Sequence, residues 1–234
     1  MEYIYHEKQD GLLCAQHCLN NLLQNSYFTA VDLGTIGRGL DALEANFMAE
    51  RGYSTEEFRR FSEHPSENMD DSGFFSVQVI QKALESFGIT LASYDSPQSL
   101  EAKEHPERSK AFICNHDAHW IAIRKIGTQW FNLNSLLSAP ELISDLHLSL
   151  FLTQLSLEGY TIFVAQGALP DCEADQVLQL MKATQTTKPS FLESDHQHTH
   201  TQDYNAQSIE DEELQAAIAM SLTDGTEAKP DDGL

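Results

Sequence analysis

The chain has 234 residues, 41% of them hydrophobic, and a formal charge of −22 from 36 acidic against 14 basic side chains. That length suits one sizeable core with an appendage, and that charge argues against phosphate backbones and anionic lipid surfaces as partners. No apolar run reaches the roughly 18 residues of a spanning helix, and the start MEYIYHEKQ lacks the basic-then-apolar pattern of a secretion signal. An intracellular chain is expected, with Cys14, Cys18, Cys114 and Cys172 reduced.

In chain order, the Asp10-Gly11 turn signal predicts a first helix that starts near Leu12 or Leu13 and runs through Leu19, Leu22 and Leu23, with Cys14 in its first turn. Residues 31 to 61 read as a helical arm, two amphipathic helices broken at Gly52, the second opened by a capping box of Ser54 with Glu57. A helix over Ser76 to Phe87 stacks Val79, Ala83 and Phe87 on one face and stops at Gly88. Strand-like alternation follows in ITLASY.

AFICN, HWIAIRKI and QWFNLN are β-rich, and the last two, separated by Gly127-Thr128, read as a hairpin. With Ile126-Gly127 as its loop, facing residue numbers sum to 253 and His119 lies opposite Asn134. Then come a helix from Pro140 to about Glu158, the strand YTIFVAQ and a last helix from Asp171 to about Ala183. Helices first and antiparallel strands after predict an α+β fold.

From Ser190 onward there are eleven acidic residues and one lysine, Lys229, a composition that cannot build a core. The His196, His198, His200 run reads as solvated rather than metal-binding. No internal repeat is visible.

The chemistry concentrates in EKQDGLLCAQHC. A thiol in the first turn of a helix feels unsatisfied N–H groups, which favour the thiolate and lower its pKa. A cysteine nucleophile needs a base, and the base an orienting partner. His119 with Asn134 is such a pair, and Gln9 can aim its amide N–H at a developing oxyanion. Gln9, Cys14, His119 and Asn134 thus make an acyl-transfer set. Beside it stand blander readings: Cys14 as a small core hydrophobe, His17 as the base, and a zinc site from Cys14, His17, Cys18, Cys114, His116 and His119, whose C-x3-C and C-x-H-x2-H spacings are not the usual pairs.

The stretches YHEKQDGLLCAQHCLNNLLQ, NMDDSGFFSVQVI, FICNHDAHW, QWFNLNSLL, PELISD and LPDCEADQ together resemble the Josephin family over about residues 1 to 182. The resemblance implies a papain-like cysteine protease fold, with a helical arm and a central antiparallel sheet, that hydrolyses ubiquitin linkages without metal or cofactor in the cytoplasm and nucleus. It makes Cys14 the nucleophile, His119 the general base and acid, Asn134 its orienter and Gln9 the oxyanion donor.

Beyond a flexible acidic linker, 183 to 208, the segment EDEELQAAIAMSL sets four acids at a helix start and Leu214, Ala217, Ile218 and Ser221 along one face. That pattern, within 209 to 223, resembles a ubiquitin-interacting motif, and 224 to 234 reads as a disordered tail. Ubiquitin and its chains are the implied partners. Family members also carry tandem motifs, a glutamine-rich tract and a basic cluster for the segregase p97, with ubiquitin-like shuttle proteins as further partners; this chain shows one motif and neither tract nor cluster. On the core, Val77, Gln78, Phe87, Tyr27 and Phe28 are candidate ubiquitin contacts, with core packing as their rival role. A ubiquitin-binding adaptor without hydrolysis and a Cys-His acyltransferase are the alternative functions.

Overall fold

The computed structural model describes residues 1–9, 11–50 and 56–192, without the side chains of 56, 57, 61 and 62. The expected Gly52 break, the Ser54 cap, the histidine run and the whole of the motif with Leu214, Ala217, Ile218 and Ser221 lie outside the described residues.

Helix α1, Cys14–Leu23, begins after Gly11 at φ 66° and buries nearly every side chain. Helix α2, Ala30–Ala49, opens with a capping box absent from the sequence reading: the Thr29 side chain accepts from Asp32 N–H, and the Asp32 carboxylate accepts from Thr29 N–H. Helix α3, Glu56–Glu63, completes the arm. Helix α4, Val77–Glu85, is capped by Ser76. Strand β1, Thr90–Ser93, short helix α5, Leu100–Glu104, and strands β2, Ala111–His116, β3, His119–Ile126, and β4, Gln129–Asn132, follow. Then come β5, Glu141–Ile143, α6, Asp145–Leu157, β6, Thr161–Gln166, and α7, Glu173–Leu180.

The six strands form one antiparallel sheet in the order β1-β6-β2-β3-β4-β5. Both faces are covered, which is why the central strands read as apolar runs rather than as alternation. Ile113, Ala122, Ile126 and Phe131 pack toward Leu19, Leu22, Val79 and Leu84. Phe112, Ile121, Ile123 and Trp130 pack toward Leu148, Leu152 and Leu155.

Three expectations are corrected. The helix expected from Pro140 begins at Asp145, because Glu141 to Ile143 add an edge strand to β4 and Ser144 caps the helix behind them. The β3–β4 hairpin turns on Gly127-Thr128, so Ile126 faces Gln129, facing numbers sum to 255, and His119 is not directly opposite Asn134. The turn is set by tertiary packing: Gly127 sits at φ 59°, a Cβ there would lie 2.5 Å from the Leu178 backbone of α7, and its N–H donates to Asp175 Oδ1 at 2.8 Å. The last helix is also shorter than expected, ending at Leu180, and residues 190–192 bridge back to 136–138, carrying the compact unit to Leu192.

Candidate active site

Three pieces of chain meet at one end of the sheet: the segment through Gln9, the start of α1, and the tips of β3 and β4. Cys14 is the first residue of α1 and only 2% exposed. Its thiol donates to the Ala118 carbonyl at 3.0 Å, and Ala118 immediately precedes His119 in the two-residue turn between β2 and β3. The other turn residue, Asp117, has φ 50°, a conformation L residues rarely adopt.

His119 opens β3, and its Nε2 donates to Asn134 Oδ1 at 2.9 Å. The same oxygen accepts from Leu136 N–H at 3.0 Å, which fixes the orientation of the amide. With Nε2 carrying the proton, Nδ1 keeps the free lone pair. Asn134 reaches the ring from two residues beyond the end of β4. The observed register makes the two residues diagonal rather than direct neighbours, and the loop conformation of Asn134 closes the remaining distance.

Gln9 is held on both sides. Its backbone N–H donates to Ser135 O at 2.8 Å, and its Oε1 accepts from Ser135 Oγ at 3.1 Å. One Nε2 hydrogen goes to Gly11 O at 2.8 Å. His6 Nε2 donates to Asn134 O at 3.1 Å, so both flanks of the 134–135 loop are bound to the N-terminal segment.

The electrostatics overturn one expectation. Burial pushes the Cys14 thiol up to about 11, and the N–H groups of Trp120, Ala15 and Cys14 itself pull it only partly back. The helix-start donors act in the expected direction, but desolvation outweighs them. Burial likewise lowers His119 below its ordinary value, and the Asn134 bond offsets this in part. Burial thus favours the uncharged form of both groups, the thiol at Cys14 and the imidazole at His119.

The rival assignments find different surroundings. His17, one turn along from Cys14, has its Nδ1 engaged with Glu7 Oε2 at 2.7 Å. The zinc set is split by the sheet, with Cys14 and Cys18 in the cluster of α1 and Cys114 in that of α6.

Away from the thiol, Tyr27 and Phe28 both contact Phe87 edge-on, at ring-centroid distances of 5.0 and 5.9 Å. Tyr27 is 43% exposed and Phe28 is buried. Val77, 38% exposed, and exposed Gln78 lie at the opposite end of α4, a helix about 12 Å long at 1.5 Å per residue. The structure thus groups three of these five candidates and places the other two apart. Sequence reading missed Ser135, Ala118, His6 and Glu7. Ser135, Glu7 and Ala118 stand within two residues of a candidate, which is the one signal available for them; Ala118 acts through its backbone, so its side chain adds none.

A Josephin family model matches residues 9–166. The chain is 49% identical over 236 residues to ataxin-3 of Rattus norvegicus, covering 94% of this chain and 66% of the relative. It is 55% identical over 192 residues to ataxin-3 of Homo sapiens, covering 82% and 53%, and 36% identical over 239 residues to an ataxin-3 homolog of Caenorhabditis elegans, covering 96% and 73%. The chain thus spans between about half and two thirds of the length of the two mammalian relatives.

Proposed function

Because the chain belongs to the Josephin family, a family of ubiquitin-related cysteine proteases, we propose that it is a deubiquitinase that cleaves the isopeptide bond behind the ubiquitin C-terminus. The observation that carries this reading is the His119–Asn134 bond at 2.9 Å beside a thiol at the first residue of a helix. A base held in one tautomer and a cysteine under helix N–H groups are the two parts that thiol acyl transfer needs.

The steps follow from the donors and acceptors. Substrate draws the Cys14 thiol off the Ala118 carbonyl, and His119 Nδ1 takes its proton as Sγ attacks the carbonyl carbon. Asn134 keeps the ring oriented and stabilises the imidazolium. The oxyanion receives the Cys14 N–H and the second hydrogen on Gln9 Nε2, the first being used by Gly11. Collapse breaks the C–N bond, His119 returns the proton to the leaving lysine amine, and an acyl-enzyme forms. Water, deprotonated by His119, then releases the ubiquitin carboxylate and the thiol.

Tyr27, Phe28 and Phe87 form the proposed ubiquitin contact on the core, with Val77 and Gln78 as a separate one. Leu214, Ala217, Ile218 and Ser221 are proposed as a tail motif that holds a further ubiquitin of a chain. The test is a ubiquitin with an electrophilic C-terminus. It is expected to label Cys14 alone; an adduct on Cys18, Cys114 or Cys172, or labelling that persists in Cys14→Ala, overturns the assignment.

A further inference from the structure

The segment that carries Gln9 runs extended along α1, and its alternate residues are bonded inward. Tyr5 N–H donates to Gln24 Oε1 and Tyr5 O accepts from Gln24 Nε2, each at 3.0 Å. Asn21 closes the same pair of bonds on the backbone of Glu7 and, through Nδ2, also reaches Leu133 O at 3.1 Å, the residue before Asn134. Gln9 is the third in this series, bonded to Ser135.

Glu7 adds something the others lack. Its side chain is 17% exposed, and the carboxylate accepts from three donors: the Tyr5 hydroxyl, His17 Nδ1 at 2.7 Å, and Asn20 Nδ2 at 3.0 and 3.2 Å. Two of these donors stand on α1, and His17 is one turn beyond Cys14. Hydrogen bonds to an ionised acceptor are shorter and stronger than neutral ones. The carboxylate therefore ties the strand of the oxyanion donor to the helix of the nucleophile, two residues from one and three from the other.

We propose that Glu7 is a positioning residue, which sets the placement of Gln9 relative to Cys14 through its bonds to His17 and Asn20. This rests on the deubiquitinase reading above. An oxyanion donor works only within a few tenths of an ångström of the developing charge, so a strand that slides along α1 loses catalysis without losing substrate binding. Ile4 anchors the start of the segment in the core, but around Glu7 the contacts are polar: Lys8 is exposed and Gln9 is bound through polar groups.

The test uses the full chain with Glu7→Ala, Glu7→Gln, Gln9→Ala and the double variants, and Lys8→Ala as control. On a fluorogenic ubiquitin conjugate, Glu7→Ala is expected to lower kcat by about 100-fold, the size of losing one oxyanion donor, with KM within about twofold of wild type. In the Gln9→Ala background the same change is expected to cost less than about threefold, because the group it positions is gone. Additive losses overturn the proposal, since a merely structural role would weaken both backgrounds alike. Glu7→Gln keeps the size of the side chain, removes its charge, and is expected to fall between wild type and Glu7→Ala. A second arm reads amide hydrogen exchange. The Gln9 N–H is expected to exchange at least about tenfold faster in Glu7→Ala while the amides of Leu19, Leu22 and Leu23 keep their rates. Unchanged exchange at Gln9 overturns the proposal whether or not the protein cleaves ubiquitin. Faster exchange at Gln9 in a chain whose wild type turns over no conjugate overturns instead the deubiquitinase reading, and with it the catalytic part of the proposal.

Discussion

If burial sets the resting state of Cys14, its reactivity should titrate far above that of an ordinary thiol. With the thiol at about 11, the thiolate fraction at pH 7.5 is about 3 in 10,000, against about one in eleven for a free cysteine near 8.5. Ionisation alone should then make Cys14 about 300-fold less reactive toward a small neutral alkylating agent than the same residue in unfolded protein, before any steric loss from its 2% exposure. The assay is iodoacetamide labelling at graded pH, with the Cys14 peptide quantified by mass spectrometry in native and denaturant-unfolded protein. The native rate should climb about tenfold per pH unit through pH 10, while the unfolded rate levels near pH 8.5. Turnover should behave differently. His119 must be neutral to accept the proton, and burial lowers it below its ordinary 6.5, so kcat/KM should rise on an acid limb below pH 6.5 and then stay flat through pH 9. A native labelling rate that is flat between pH 5 and 8, with turnover falling above pH 8.5, is the signature of a resting thiolate–imidazolium pair. That result would refute the reasoning that desolvation outweighs the helix N–H groups here.

His119→Ala should lower cleavage by about 10⁴-fold, as expected for loss of the base in a cooperating set, whereas His17→Ala should lose only several-fold by taking one of three donors from Glu7; the reverse ranking, in protein shown to be folded by circular dichroism, would move the base to His17. Gly127→Ala forces a side chain into φ 59° and against the Leu178 backbone at 2.5 Å, which should cost about 3 kcal/mol and lower Tm by about 6 to 12 °C in a calorimetric scan; an unchanged Tm would show that α7 does not set this turn. In the tail, Leu214→Ala with Ala217→Gln should weaken polyubiquitin binding by about tenfold in titration calorimetry and leave the fluorogenic conjugate nearly unaffected, and equal loss on both substrates would give the tail a role in the fold or the active site.

What could be read from the sequence, and what could not, divides along the range of the interactions responsible. α1 and α4 were legible because their starts and stops are written locally, in Gly11, Ser76 and Gly88, and their buried faces repeat at helical spacing. The strand Glu141–Ile143 was not, since PELISD has neither length nor alternation and becomes a strand only by pairing with β4. The β3–β4 turn was misplaced for a similar reason: Gly127 is fixed by Asp175 and Leu178, about 50 residues on, and no local rule contains α7. Gln9, Cys14, His119 and Asn134 can nevertheless be singled out as candidates, because acyl transfer restricts the residue types even where a register is two off, and the structure brings their segments to one end of the sheet. The charge state of the thiol was the part that spacing could not supply. A helix start predicts a lowered pKa from donors one or two residues away, but the opposing desolvation grows with everything packed around the sulfur, including β3 and the Ala118 turn, which approach from more than 100 residues along the chain. In the proposed mechanism this burial trades resting reactivity for control, since the thiol keeps the Ala118 oxygen as its partner until substrate displaces it and His119 takes its proton.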